Sequence, residues 1–549
     1  MATPCIAVNG VRHLRPPITI PKPTVWPGKL LSAICSHQQL PEKYEEDIEA
    51  LKKEAKSMLL EAAKPSKVVV LVDIIERLGL AYHFETEIQD KLSQVYHCEE
   101  DEDYDLFTTA LRFRLLRQHQ FHVSCDDFDK FVDKNNKFKE TLSTDVEGLL
   151  SLYEAAHVRI HDENILDEGV MFTTCHLSRI LPELESPLKD KVQLALKHSL
   201  HRSVLIINVP FHISIYEQDD SKDELLLKFS KLNLMFLQNV YRNELAELSR
   251  WWNGFDLKSK LPYMRDRLVE CFLWGAAVHY EPKYSFVRIN VAKNMQMVSV
   301  MDDTYDNYAT LDEAQMFTQI LERWNVEEID VLPEYMQIVY KFVMSTYEDL
   351  KREAIKQGKS FVVPYYSETV KQLGRAYNKE QIWIMERQMP SFEEYMNNSM
   401  ITSCIYVMFT SLVPGIQSIT KETIDWLLSE PKIVISTAKM GRHLEDLASH
   451  ERENREGKLL TVVDCYMKDY GVSKEETLCR FKQLVENGWK DVNKEWTKER
   501  STPKKMVDQL VNYARIAEIT YENSEDGYTS SQNLAPKIAA LIGVSINSI

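Results

Sequence analysis

Asp302, Asp303 and Asp306 stand in SVMDDTYDNYAT (299–310), behind an apolar run that includes Met295, Met297, Val298, Val300 and Met301. On a helix, positions i and i+4 share a face, so Asp302 and Asp306 project together, with Val298 and Met295 one and two turns before them. The box Thr310-Leu-Asp-Glu313 reads as the start of another helix, so the first must end before Thr310 and the aspartates occupy its last turns. Acids there oppose the helix macrodipole and repel one another, at a cost of about a few tenths of a kcal/mol each when exposed and far more when buried. A bound divalent cation resolves both problems. Several hard carboxylate oxygens, with no Cys or His nearby, point to Mg²⁺ rather than zinc. The competing reading is a solvated helix end, which the apolar approach disfavours.

A second acidic segment, GRHLEDLASHERENREG (441–457), puts Glu445, Ser449 and Glu453 at i, i+4 and i+8, three oxygen-bearing side chains near one face, with Gly457 as the expected helix stop. Many surface helices look like this. Together with 302–306, however, it supplies two oxygen-bearing faces that could hold metal ions between them. Arg265 and Arg267 in YMRDRLVE (263–270) follow the loop-like FDLKSKLP, and Arg442 lies one turn before Glu445. Arginine's forked donors match phosphate oxygens, although any one of the three taken alone reads better as an ordinary solvated residue. EEDEDYD (99–105) and DDFD (126–129) are denser in charge but sit among polar residues, and read as solvated loops. His157 and His161 have metal-pair spacing but lack the glutamate of HExxH and any evident third ligand, so they read as a surface or core-edge pair.

The elements that must position these groups are helical. Glycine is 16 of 549 residues, roughly 3% against the usual ~7%, which favours long helices over hairpins. Glu45 to Ala62 has amphipathic spacing, Thr144–Glu147 reads as a capping box, and Val68–Val72, though β-branched, is read as helix with the residues after it. EQDDSKDE (217–224) is an expected loop before a long helix over 225–252. The length prior allows two to four domains. The expected division is a proline-broken strap (1–40) pinned by Trp26, an all-α domain over 41–230 and a second over 231–549. The net charge of −17 argues against nucleic-acid binding and requires local cations or metal ions for any anionic substrate. Nine widely spaced cysteines without CxxC read as free thiols in a reducing compartment. No apolar run of membrane-spanning length is present, and the first residues resemble neither a signal peptide nor a transit peptide, so cytoplasmic residence is expected.

In order along the chain, DIIERLGLAYHFETEI, LRFRLLRQHQF, LYEAAHVRIH, ELSRWW, LPYMRDRLVECFLW, MDDTYDNY, DCYMKDYGVS and ARIAEITYENSEDGYT resemble plant terpene synthases, specifically the angiosperm sesquiterpene synthases, from about Trp26 to the C-terminus. The resemblance implies a C-terminal class I helical bundle holding the active site and an N-terminal relict cyclase domain. No DxDD occurs, so protonation-initiated cyclisation is not expected. Asp302 and Asp306, with Asp303 beside them, correspond to the aspartate-rich metal ligands. Glu445, Ser449 and Glu453 correspond to the second metal motif, with Glu445 replacing Asn or Asp and carrying its carboxylate ~1.5 Å farther out; Asp446, a possible substitute, points about 100° around the helix.

Three Mg²⁺ ions, or Mn²⁺, are implied, with Arg265, Arg267 and Arg442 on the diphosphate. Asp302, Asp306, Arg265 and Arg442 are the residues the reaction is expected to need most. Candidate wall residues are Met295, Val298, Trp274, Ile401, Thr402, Tyr406 and Tyr521, where aromatic faces can stabilise a carbocation. Asp526, between Tyr521 and the substrate-facing Tyr528, is expected on a closing loop, ENSEDGYTSS. Arg15-Pro16-Pro17 only approximates the family's N-terminal arginine motif. With no transit peptide, that favours cytoplasmic farnesyl diphosphate as substrate, with geranyl diphosphate as the alternative. A monomer without nucleic-acid or integral-membrane association is expected. Two other readings compete: a prenyl-chain elongating enzyme, which would need a second DDxxD, and a catalytically weak helical scaffold.

Overall fold

A computed structural model of the protein describes residues 15, 21–26, 42–98, 103–456, 461–498, 503–530 and 532–544, with the main chain alone at 42–43 and 452–456. Most of the expected strap, the start of EEDEDYD, the side chain of Glu453 and the expected stop at Gly457 lie outside the described residues.

The described residues form helices and no strand; one isolated bridge joins Val132 and Phe138. Helix α1 spans Glu42–Glu61. Helix α2 (Pro65–Arg77) begins on a proline, which has no amide hydrogen to lose there, and buries Val68, Val69, Val72 and Ile75. Burial on one side thus overrides the β-branched propensity of that run. Helix α3 (Val146–Ala156) corrects the expected box at Thr144: Asp145 is the cap, its carboxylate accepting the Gly148 amide at 2.9 Å, while Thr144 closes a preceding 3₁₀ turn.

Helix α4 (Glu224–Phe255) starts where Asp223 accepts the amides of Leu225 and Leu226. Residue 231, the expected domain boundary, falls inside this unbroken helix. Buried Glu244 on α4 meets Arg288 at 2.7 and 2.8 Å; the same guanidinium also donates to the carbonyls of His279 and Glu281. Those bonds satisfy a charge that burial would otherwise make very costly.

Two helices form the centre of the second half. Helix α5 (Leu268–Val278) is buried at every position, and α6 (Ser285–Asn307) carries the aspartates at its end. They pack tightly at Gly275, where a β-carbon would lie 2.6 Å from the carbonyl oxygen of Arg288. Polar contacts tie the two halves of the chain together: Arg159 and Arg202 both pair with Glu486, and Asn493 bonds His201 and the carbonyls of His157 and Arg159. Trp26 is buried, 1% exposed. The described cysteines are free, and no described helix is long and apolar enough to cross a membrane.

Candidate active site

Helix α6 ends at Asn307, and Thr310 and Glu313 form the reciprocal box that starts α7 (Leu311–Arg323), as the spacing predicts. The aspartates do not behave alike. Asp303 is fully buried and turned toward Arg265, whose amide donates to one carboxylate oxygen at 2.6 Å and whose Nε donates to the other at 2.8 Å. In this arrangement both Asp303 oxygens are engaged by protein rather than offered to a metal. The same guanidinium pairs through Nη2 with Asp302. Burial works against the charge on Arg265, but Asp303 and Asp302 outweigh it and hold its pKa well above the ordinary value.

Asp306 is different: its Oδ1 is buried without a partner. Burial, then Asp302, then Glu380 push its carboxyl well above the usual carboxylate range. Glu380 sits on α8 (Val362–Met385) and was not foreseen. Its carboxylate accepts from Thr402 at 2.9 Å and Asn398 at 3.2 Å, and burial raises it to about 8, against Arg442 and with help from Asp302. The available signal was an acid in register with the buried stripe Leu373, Ala376 and Tyr377. Thr402, an expected wall residue, thus meets the site through Glu380. It ends α9 (Phe392–Thr402), and a kink with Cys404 at φ 59° leads into α10 (Ile405–Ser411).

The second motif lies on α11 (Lys432–Glu456). Ser449 is 1% exposed and its hydroxyl oxygen has no partner. Glu445 is partly exposed and lies 3.3 Å from Arg442. Arg442 also bonds the buried Asp446, which accepts the Val462 amide at 2.6 Å as well. Asp446 is therefore engaged elsewhere and does not take the place of Glu445. Burial, then Glu445, then Asp302 raise the thiol of Cys404, at the kink, to about 12.

The expected wall divides. Met295 and Val298 are buried on α6. Trp274 is buried, edge-on to Tyr513 with centroids 5.4 Å apart, and its indole N–H has no partner. Tyr513 in turn donates to the Ser403 carbonyl at the kink. Ile401 is partly buried against the core. Tyr406 is buried. Its hydroxyl donates to Glu430 at 3.1 Å and it lines a groove with Phe361, Tyr365 and Leu428.

Tyr521 caps the end of α12 (Lys504–Thr520); burial, then Glu445, push its phenol well up. In the following loop, Asp526 Oδ1 accepts the amides of Tyr528 and Thr529 at 3.0 and 2.9 Å, and the Tyr528 hydroxyl lies between Ser299 Oγ (2.5 Å) and Cys271 Sγ (3.2 Å). Arg267, expected on the diphosphate, is instead buried among main-chain carbonyls of Tyr528, Thr529, Lys22 and Asp266. Arg15 donates to the Tyr308 carbonyl and to Glu313, both at 2.9 Å, just beyond the aspartates. His157 and His161 do not converge: one contacts the Tyr153 carbonyl and the other Asp491.

Among the described residues, no three His, Cys, Asp or Glu side chains are gathered into a ready-made metal cage. The oxygens stand instead on separate helices, with Asp306 Oδ1 and Ser449 Oγ unpartnered and like charges crowding Asp302, Asp306 and Glu380. An all-oxygen, electron-rich, incomplete set fits a hard divalent cation that keeps waters and substrate oxygens in its shell.

Comparison with known proteins agrees with this chemistry. Residues 26–196 match the terpene synthase N-terminal domain and residues 253–491 the metal-binding domain of the terpene synthase family. The chain is 51% identical to tau-cadinol synthase of Lavandula angustifolia over 98% of its length and 99% of that protein's, and 52% identical to gamma-cadinene synthase of Ocimum basilicum over 97% and 98%. Its fold superposes with a TM-score of 0.86 on isoprene synthase from grey poplar (Populus x canescens), solved with three Mg²⁺ ions and dimethylallyl-S-thiolodiphosphate, at 31% identity over 94% of this chain and 98% of that one. On the extent and collinearity of these matches, the chain belongs to the terpene synthase family.

Proposed function

We propose that this protein is a Mg²⁺-dependent sesquiterpene synthase that ionises farnesyl diphosphate, releases diphosphate and closes the C15 cation to a terpene. The observation that carries the reading is that each of the two oxygen-bearing motifs keeps a buried oxygen without a partner, Asp306 Oδ1 on α6 and Ser449 Oγ on α11. The names of the relatives, cadinol and cadinene synthases, support a C15 substrate. The free described thiols fit a reducing compartment such as the cytoplasm.

Asp302 and Asp306 on α6, with Glu445, Ser449 and Glu453 on α11, would hold the ions, three by analogy with the isoprene synthase complex, with Mn²⁺ as a workable substitute. When bound, the ions supply charge stabilisation to the departing diphosphate. The chain's own residues do the rest. Arg265, paired with Asp302 and Asp303, would turn its guanidinium onto diphosphate oxygens, as would Arg442 at the other motif. Asp303 anchors Arg265 through its amide and Nε. Trp274, Tyr513, Met295 and Val298 provide an apolar lining that keeps water from the cation, and the ring faces favour positive charge by roughly 0.5–2 kcal/mol.

The test is incubation of purified protein with Mg²⁺ and farnesyl or geranyl diphosphate, followed by gas chromatography of an organic overlay. A C15 product is expected from farnesyl diphosphate, with turnover lost by about 10²–10³-fold or more in Asp302→Ala. No volatile product from either substrate would leave the scaffold reading. Products longer than C15 after addition of isopentenyl diphosphate would establish chain elongation.

A further inference from the structure

We propose that Gly441 and Tyr513 together determine product specificity: the missing side chain on α11 lets the Tyr513 ring stand against that helix with its hydroxyl on Ser403, and the place the ring takes selects the terpene that forms. The inference rests on the synthase reading above and deepens it by naming a residue pair that sets product choice.

Gly441 is buried inside α11, where glycine is less favourable than alanine, so its presence needs a reason. The reason is Tyr513: a β-carbon at 441 would lie 3.0 Å from both Cε1 and the hydroxyl oxygen of Tyr513, and 3.5 Å from its Cζ. Gly441 stands one turn before Glu445 and two before Ser449, so the three share a face of α11. On α6 the same place, one turn before Asp302, is taken by Val298. On α11 it is left open, and a ring from α12 packs there instead.

Tyr513 is buried, and its position is fixed by several elements. Its hydroxyl donates to the Ser403 carbonyl at 2.9 Å, beside the kink between α9 and α10. Trp274 on α5 meets it edge-on, with centroids 5.4 Å apart and planes at 68°, and Phe409 on α10 lies 6.3 Å away. Burial, then Cys404, hold the phenol well above its ordinary pKa, so it remains the donor in the bond to Ser403. A β-carbon at 441 would move this ring. Ordinary carbon contacts begin near 3.5 Å, so the ring must shift by about 0.5 Å. The ring gives rather than α11, because α11 is itself closely seated: Met440 packs on Gly488 of the helix Lys474–Trp496, where a β-carbon would lie 2.3 Å from Met440 Cγ. The shift disturbs the Ser403 bond and the contact with Trp274 together. In a pocket, a difference of one methylene is worth about 10–200-fold in selection, so a displacement of this size is enough to redistribute one cation among competing closures.

The experiment compares wild type, Gly441→Ala, Tyr513→Phe, Tyr513→Leu and the double variant Gly441→Ala/Tyr513→Leu in two readouts. One is the ratio of the main product to the sum of the others from farnesyl diphosphate in Mg²⁺, by gas chromatography; the other is inhibition by inorganic pyrophosphate. Gly441→Ala is expected to change the product ratio about fivefold or more and to leave pyrophosphate inhibition within about threefold of wild type. Tyr513→Phe, which removes only the hydroxyl on Ser403, should change the ratio by about twofold or more. Tyr513→Leu removes the ring atoms that the new β-carbon meets, so in that background Gly441→Ala should change the ratio by less than about twofold; this non-additivity is the signature of action through Tyr513. A wild-type ratio in Gly441→Ala overturns the proposal. An equal change on adding Gly441→Ala to Tyr513→Leu also overturns it, because the glycine then acts without the ring. So does pyrophosphate inhibition weakened about 10-fold or more in Gly441→Ala, because the glycine then sets the metal-bearing face. Should Gly441→Ala not fold, Tyr513→Phe decides, and a wild-type ratio there overturns the proposal. A wild-type protein that converts no prenyl diphosphate would overturn the synthase reading, and this proposal with it.

Discussion

One chemical change, Gly→Ala, should have opposite signs at two positions. At Gly275 the new β-carbon would meet three main-chain atoms of Arg288: the carbonyl oxygen at 2.6 Å, Cα at 3.0 Å and the carbonyl carbon at 3.2 Å. None belongs to a flexible side chain, so α5 and α6 must separate. The contact distance has to grow by about 0.8 Å to reach ordinary carbon–oxygen packing. Overpacking of this kind costs about 1–3 kcal/mol. Separation here also pulls on the buried pair between Arg288 and Glu244, whose bonds are 2.7 and 2.8 Å, so the upper end of the range is expected.

At Gly254, near the end of α4, a β-carbon meets nothing within 4 Å, and the substitution should stabilise by roughly 0.5–1 kcal/mol through helix propensity alone. Thermal unfolding of the two variants beside wild type reads the contrast, at about 2–4 °C per kcal/mol for a domain of 150–250 residues. Because α5 and α6 carry Trp274 and the aspartates, Gly275→Ala should also cut turnover by up to about 10²-fold, and Gly254→Ala should leave it unchanged. A Gly275→Ala protein with wild-type midpoint and wild-type turnover would show that this contact does not set the spacing of the site.

Glu380→Gln should flatten the pH dependence of the metal-free protein. The native carboxyl holds its proton to about 8 while the unfolded one releases it near 4.5, so that contribution to stability is full below pH 4.5 and is lost as pH rises through 8; midpoints in EDTA at pH 6 and 9 should differ less in the variant. Glu445→Asp should keep or raise turnover, since the shorter side chain restores the reach of the family's motif, and a loss beyond about 10-fold would mean that the longer arm is required for octahedral metal geometry. Glu486 behaves oppositely to Glu380: burial would raise it, but Arg202 outweighs burial and holds it at about 2, so its contribution is present above pH 4.5 and is lost as pH falls toward 2. Arg202→Met should weaken that acid dependence, read by circular dichroism between pH 5 and 2, by a modest amount because Glu486 is 42% exposed and solvent screens the pair.

Local information carried far in this chain. The end of α6 before Thr310, the box at Thr310–Glu313, the shared face of Asp302 and Asp306 and the helix bearing Glu445 and Ser449 all follow from spacing, because capping and i,i+4 geometry involve residues within one or two turns. The shift of one cap from Thr144 to Asp145 marks the resolution of such reasoning: two adjacent residues can each serve, and the geometry of the preceding 3₁₀ turn selects between them. What only the tertiary structure decided is which partner each polar group meets. Asp303 and Asp306 lie three residues apart on one helix, yet one is spent on Arg265 and the other keeps an unpartnered oxygen. Arg267 reaches carbonyls hundreds of residues away in sequence, Glu380 joins the aspartates from another helix, and Tyr406 bonds Glu430. Sequence by itself determined the helices and the chemistry they bear, since periodicity and residue type are local properties; the assignment of each charge depended on packing, since the field at a buried group comes from neighbours that only the folded chain brings within a few ångströms.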